Sequence, residues 1–157
     1  ESVKRLLLTL APVAVIAVGA LLYLPWGSAQ AEAGLAGVHM TVHQSPTCSC
    51  CGAYVNILGQ QGAEVTVQYA QDLAAVKEEL AVPAATWSCH TLEVAGYAVE
   101  GHVPLAAIEQ LLADGPEVRG IGLPGMPAGS PGMGGTKTAP FTVLAFQAGT
   151  IETFGEF

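Results

Sequence analysis

A crowded group of cysteines lies between a strand-like and a helix-like segment, and this arrangement constrains the fold more than any other feature of the sequence. The group consists of Cys48, Cys50 and Cys51. Before it, apolar residues alternate with polar ones from Val38 to His43, which is typical of a strand. After it, apolar residues recur every three or four positions up to Gly62, which predicts a short helix. The three cysteines are therefore expected at the N-terminus of a helix that follows a strand.

The same two periodicities alternate along the rest of the chain. They predict a strand at residues 64–69, a helix capped by Asp72, a hairpin at residues 91–100, a helix between Pro104 and Gly115, and a hairpin at residues 141–154. Residues 116–140 contain 12 Gly or Pro in 25 positions, which predicts a long Gly/Pro/Met loop. This order predicts an α/β fold, a three-layer sandwich similar to the thioredoxin-like fold, in which a reactive cysteine pair lies at a helix N-terminus.

An apolar leader precedes this domain. Between Leu6 and Trp26, 17 of 21 residues are hydrophobic, Lys4 and Arg5 stand before them, and Ala29-Gln30-Ala31 fits a cleavage site after residue 31. The run also approaches the roughly 20 residues that span a bilayer. A cleaved signal peptide and an uncleaved membrane anchor both remain open, and either would export the domain to the periplasm or the outer face of a bacterial cytoplasmic membrane. We therefore divide the chain into a leader at 1–31, a linker at 32–37 and a domain at 38–157.

The charge of the domain excludes one class of partner. The whole chain carries a net charge of −8, and residues 1–31 contribute +1, which leaves −9 for the rest. Such an acidic domain would repel phosphate backbones, so nucleic acid is not an expected partner. Metal cations are the expected partners of this acidic domain. Contact with a membrane is expected only through the leader, if the leader stays uncleaved.

The cysteines themselves leave several kinds of site open. Four cysteines in an exported domain commonly form two disulfides, but three of them within four residues would close almost no loop and add little stability. Structural zinc usually takes paired cysteines from two separate loops, and Cys89 has no cysteine neighbour. Cu(I) accepts thiolates in crowded arrangements and therefore fits better. A helix N-terminus also favours the thiolate form of Cys48, Cys50 and Cys51.

Other side chains join the candidate set less firmly. His90 follows Cys89, and the start of the predicted hairpin is expected beside the cysteine trio. Met126 and Met133 lie in the long loop, either as thioether ligands or as a lid over a copper site. His102 is expected only to bond backbone before the third helix. His39 and His43 are expected to be structural or exposed.

The motifs resemble the CopG-type copper-resistance proteins, which are exported, thioredoxin-like, metal-binding proteins of bacteria. The resemblance rests on seven segments: Met40-Thr41-Val42, Ser45-Pro46-Thr47-Cys48-Ser49-Cys50-Cys51-Gly52, Ser88-Cys89-His90-Thr91, Gly96-Tyr97, Glu100-Gly101-His102-Val103-Pro104, Pro124-Gly125-Met126-Pro127, and Gly129-Ser130-Pro131-Gly132-Met133. It implies that Cys48, Cys50, Cys51 and Cys89 bind copper, as one or more Cu(I) ions, in copper tolerance. Other periplasmic copper-handling proteins would then be its partners.

An enzymatic alternative remains open alongside copper binding. The pair Cys48 and Cys51 has the C-x-x-C spacing of thiol–disulfide oxidoreductases, with Cys48 as nucleophile and Cys51 as resolving thiol. Thioredoxins carry a cis-proline where Cys89-His90 is expected, and its absence here favours a metal. The sequence thus predicts a copper-binding protein with copper redox chemistry as an extension, or a disulfide oxidoreductase.

Overall fold

The computed structural model describes residues 34–157 as a mixed α/β fold around a single seven-stranded sheet. The expected leader and the start of the linker lie outside the described residues. The strands are β1 (His39–Gln44), β2 (Glu64–Tyr69), β3 (His90–Val94), β4 (Tyr97–Gly101), β5 (Gly120–Leu123), β6 (Thr142–Gln147) and β7 (Thr150–Glu156). Their order is β2-β1-β3-β4-β5-β6-β7, with β1/β2 and β4/β5 parallel and the other neighbours antiparallel.

Three α-helices connect the strands, and the residues predicted to cap or end two of them do so. They are α1 (Ser49–Gln60), α2 (Leu73–Glu79) and α3 (Leu105–Asp114). The Asp72 side chain accepts a hydrogen bond from the Ala75 amide at 3.1 Å and so caps α2. Gly115 ends α3 in the left-handed conformation, with φ 56°. Within residues 34–157, no helix has the length and hydropathy to span a bilayer.

The helices pack on both faces of the sheet. One apolar cluster joins α1 and α3 to the sheet and includes Tyr54, Ile108 and Val99. The second cluster lies around α2 and includes Ala98 and Phe146. Because Ala98 and Val99 are successive residues of β4, their side chains point to opposite faces. α1 and α3 therefore cover one face of the sheet, and α2 lies on the other.

The prediction of an uninterrupted loop at residues 116–140 is wrong, because β5 lies within it. Its sequence is Gly120-Ile121-Gly122-Leu123, and all four residues are buried. A Cβ atom on Gly120 would lie 1.9 Å from the carbonyl oxygen of Ala98 on β4. Gly120 is thus required because the two strands approach closely at this position, and it does not interrupt β5. Glycine inside a strand often marks such a close approach of another backbone. The remaining predicted strands and helices are present, with bounds that shift by one or two residues.

Candidate metal centre

The start of α1 presents the three clustered cysteines. β1 ends at Gln44, and a turn follows in which the Cys48 amide donates to the Ser45 carbonyl at 3.1 Å. Cys48 occupies the N-cap position of α1, so Cys50 and Cys51 fall in its first turn. Cys51 is fully buried, while Cys48 and Cys50 are partly exposed. The sequence prediction that this group lies at a helix N-terminus is confirmed.

The pairing of β1 with β3 brings the fourth cysteine to the same place. Gln44 at the end of β1 lies opposite His90 at the start of β3, so Cys89 comes beside the turn that leads into α1. The Sγ atoms of Cys50 and Cys89 are 4.0 Å apart, and Cys51 Sγ is 3.7 Å from the Cys89 carbonyl oxygen. All four sulfur atoms lie within 4.8 Å of one another. The structure thus brings together the four cysteines that the sequence singled out.

Two of these cysteines form a disulfide. Cys48 and Cys51 are bonded to each other, whereas Cys50 and Cys89 are free. Cys50 Sγ lies 3.5 Å from Cys48 Sγ, in contact with the disulfide. Because a metal binds thiolates, this oxidised state offers two of the four sulfurs as ligands, and reduction would offer all four.

Two buried histidines extend the cluster beyond the cysteines. His102 Nε2 lies 3.0 Å from Cys89 Sγ, and His90 Nδ1 lies 3.3 Å from the same sulfur. Both residues have 0% of their surface exposed, and their rings meet edge to face with centroids 4.9 Å apart. The ring of Tyr54 packs against both and is held by a hydrogen bond to the Val103 carbonyl at 2.8 Å. Cys89, His90 and His102 therefore form a second donor set that shares Cys89 with the first.

The hydrogen bonds of His102 determine which of its nitrogens can bind a metal. Its Nδ1 lies 2.7 Å from the carbonyl oxygen of Pro131, which can only accept, so Nδ1 carries the hydrogen. Burial lowers the pKa of His102, which keeps the ring neutral. Nε2 consequently carries no hydrogen, as a metal-binding imidazole nitrogen requires, and it lies 3.0 Å from Cys89 Sγ.

Burial acts on the other two members of this donor set as well. It lowers the pKa of His90 to about 3, with His102 and Lys77 adding to the effect. It raises the pKa of Cys89 to about 11, and the neighbouring Cys50 adds to that shift. Without a metal, Cys89 is thus a thiol whose hydrogen can be donated to His102 Nε2. His90 Nε2 is buried without a hydrogen-bond partner among residues 34–157.

The segment after β5 closes over this cluster. Besides the Pro131 contact with His102, the backbone of Gly132 packs on α1, where an added Cβ would lie 2.8 Å from the Tyr54 amide nitrogen and 3.0 Å from the Cys50 carbonyl oxygen. Met133 follows immediately and is partly exposed, whereas Met126 is 43% exposed. Their predicted role as thioether ligands or as a lid stays a prediction.

His102 was expected only to bond backbone, and its position beside Cys89 is what sequence reasoning missed. The signal was present in the predicted hairpin. Thr91 pairs with Glu100 across the turn at Ala95-Gly96, and the same register continued by two residues sets Cys89 opposite His102. The other histidines behave as expected, since His39 is exposed beside Glu64 and His43 lies 2.6 Å from Glu93.

Comparisons with known proteins give one matching family and two similar solved structures. A family described as "Protein of unknown function, DUF411" matches residues 86–133, a range that contains Cys89, His90 and His102. Two solved structures named "Copper resistance protein copG", Form 1 and Form 2, are each 36% identical to this chain, with a TM-score of 0.71. Each comparison covers 77% of this chain and 98% of the other. No curated protein matches.

Proposed function

The chain belongs to the CopG copper resistance family, and from that premise we propose that it is an exported copper-binding protein that holds Cu(I) at its cysteine cluster. The observation that carries the proposal is the placement of four cysteine sulfurs within 4.8 Å of one another. In the reduced protein these sulfurs, with the free nitrogen of His102, would form a compact and partly buried set of soft ligands.

The donor set fits Cu(I) better than the alternatives. Soft thiolate ligands select Cu(I) or zinc, and imidazole accepts both metals. Structural zinc sites are tetrahedral and closed by four ligands. Here two overlapping donor sets share Cys89, which suits thiolates that bridge more than one Cu(I) ion. We therefore propose one or more Cu(I) ions, with the four cysteines and His102 as ligands and His90 beside them.

Export and a thioredoxin-like relationship complete the proposal. The leader supports delivery to the periplasm or the outer face of the cytoplasmic membrane. A parallel β1-α1-β2 unit whose sheet continues through β3 and β4 agrees with a thioredoxin-like core. In that setting the protein would receive copper from, or pass it to, other periplasmic copper-handling proteins.

Copper titration of the reduced domain tests the proposal. The domain at 34–157 is reduced, loaded with Cu(I) without oxygen, and assayed by elemental analysis and by competition with a chromogenic Cu(I) chelator. We expect at least as many bound copper ions as chains. Cys89→Ser should lower the affinity by more than about 100-fold, because loss of an outer-shell partner alone typically costs about 10–100-fold.

His43→Gln is the matched control. It removes a histidine that hydrogen-bonds Glu93 and that, within residues 34–157, forms no hydrogen bond with any of the four sulfurs. It should bind copper like the wild type. Fewer bound copper ions than chains in the wild-type protein would contradict the proposed function.

A second candidate function rests on the Cys48–Cys51 disulfide. In a thiol–disulfide oxidoreductase, the reduced pair would pass two electrons and two protons to a substrate disulfide. The Cys48 thiolate attacks one substrate sulfur and releases the first substrate thiol, and Cys51 then attacks the mixed disulfide, releases the second thiol and leaves the Cys48–Cys51 disulfide. Insulin reduction by the metal-free protein, with Cys48→Ser as control, tests it. Inert metal-free protein would remove this candidate and leave copper binding unaffected.

A further inference from the structure

A buried ion pair lies next to the cysteine cluster without belonging to it. Lys77 from α2 and Glu100 from β4 approach to 2.5 Å between Nζ and Oε1, and their side chains are 4% and 0% exposed. Removing two charges from water usually costs as much as their attraction returns, so a buried pair of this kind is weakly explained by stability alone. Its contacts indicate a different role.

The Glu100 carboxylate holds the chain on both sides of Cys89 and His90. Its Oε1 accepts a hydrogen bond from the Ser88 amide at 2.5 Å, and its Oε2 accepts one from the Thr91 hydroxyl at 2.6 Å. One carboxylate thus fixes the residue before the Cys89-His90 pair and the residue after it.

Lys77 completes this arrangement. Its ammonium group donates to Thr91 Oγ1 at 2.9 Å as well as to the carboxylate, so the Lys77 side chain anchors both Thr91 and Glu100. The Ser88 side chain is confined from another direction, because a Cβ on Gly101 would lie 2.7 Å from both its Cβ and its Oγ. Little freedom is left to the backbone that carries Cys89.

The position of Cys89 matters because it is the one cysteine of the cluster that lies neither in the first turn of α1 nor at its N-cap. Cys48, Cys50 and Cys51 share a helix turn and keep their spacing through the helix itself. The 4.0 Å between Cys50 Sγ and Cys89 Sγ depends instead on the Ser88–His90 segment.

We propose that Glu100, balanced by Lys77, is a positioning residue that holds Cys89 and His90 in the geometry required for copper. This inference rests on the proposed function. It assigns to the carboxylate the role that outer-shell partners have in metal sites, where they orient the ligands and raise the affinity.

Two double variants separate the hydrogen bonds from the charges. Lys77→Met with Glu100→Gln removes both charges but keeps an amide oxygen that can accept from Ser88. Lys77→Met with Glu100→Leu removes the charges and the acceptor together. Both are compared with the wild type by thermal unfolding, by Cu(I) affinity in chelator competition, and by hydrogen exchange of the Ser88 amide in the copper-free protein.

We expect the Gln variant to bind Cu(I) within about threefold of the wild type and the Leu variant to bind it about 10–100-fold more weakly. Exchange at Ser88 should be fast in the Leu variant alone.

Equal affinities in the two folded variants, or equal losses, would overturn the inference. If the Leu variant does not fold, Thr91→Val replaces it, and wild-type affinity there would overturn the inference too. A wild-type protein that bound no copper would instead refute the proposed function, whereas the Ser88 exchange would still report on the hydrogen bond.

Discussion

The substitution Gly132→Ala tests whether the segment after β5 is held against the cysteine cluster. Gly132 has φ +79°, and an added Cβ would lie 2.8 Å from the Tyr54 amide nitrogen. The left-handed backbone costs a residue with a side chain roughly 1–2 kcal/mol. The overlap with backbone that cannot easily move adds about 1–3 kcal/mol. We therefore expect a loss of at least about 2 kcal/mol, unless the segment detaches from α1 at a smaller cost.

Thermal unfolding and copper affinity distinguish these two responses. For a domain of this size, about 4 °C of melting temperature corresponds to 1 kcal/mol, so a segment that stays docked predicts a fall of at least about 8 °C. If the segment detaches instead, His102 loses the Pro131 carbonyl that orients its ring, and Cu(I) affinity should fall about 10-fold or more while the melting temperature changes less.

Two glycines of the same segment provide matched controls. Gly134 has an ordinary φ and nothing within 4 Å of an added Cβ, so Gly134→Ala should be close to neutral. Gly125 has φ +82° but open space around it, so Gly125→Ala should show the backbone cost alone. A Gly132→Ala protein with the melting temperature of Gly125→Ala and the copper affinity of the wild type would refute the close approach to α1.

Three further predictions concern stability. Gly120→Ala should cost about 3 kcal/mol or more in urea unfolding, because its Cβ overlaps a carbonyl oxygen of the neighbouring strand, and a wild-type midpoint would contradict that contact. Lys77→Met alone should cost about 3–5 kcal/mol by leaving Glu100 buried and unpaired, and adding Glu100→Gln should restore much of the loss; no recovery would argue against the ion pair. Burial lowers the pKa of His90 to about 3, so below about pH 6.5 the unfolded chain takes up a proton that the folded chain does not. The stability of the reduced, metal-free protein should thus decrease as the pH falls from about 6.5 towards 3, and His90→Gln should flatten that slope, whereas a parallel pH profile would refute the assignment.

The local part of the fold was predictable because its signals are local. Period-two alternation, the Asp72 cap and the Gly115 stop each act within a few residues, and the corresponding strands and helices are present. β5 was not predictable in the same way. Its two glycines are explained by the close approach of β4, where side chains on β5 would meet the neighbouring strand. That approach is a tertiary contact, and the sequence around β5 contains no local pattern that indicates it.

The candidate site likewise contains a part that local sequence patterns predict and a part that they do not. The cysteine trio is a local motif, and its place at a helix N-terminus followed from the flanking periodicities. The order of the strands and helices predicted that Cys89 lies near the trio. The contact between His102 and Cys89 could be predicted only from the register of the hairpin, and that register depends on a two-residue turn at Ala95-Gly96. The contact of Pro131 with His102 joins residues 29 positions apart across an irregular segment, and no periodicity predicts it.

The disulfide and a copper ion compete for the same sulfurs, and this links the two candidate functions. Oxidation of Cys48 and Cys51 removes two thiolates from the four-sulfur set, but leaves Cys50, Cys89 and the two histidines as potential ligands. Reduction adds two electrons and restores the full set. Copper loading of the oxidised and reduced forms, with thiols counted in the same samples, should therefore give different stoichiometries. Equal copper binding in both forms would show that Cys48 and Cys51 are not ligands, and would limit the copper site to Cys50, Cys89 and the histidines.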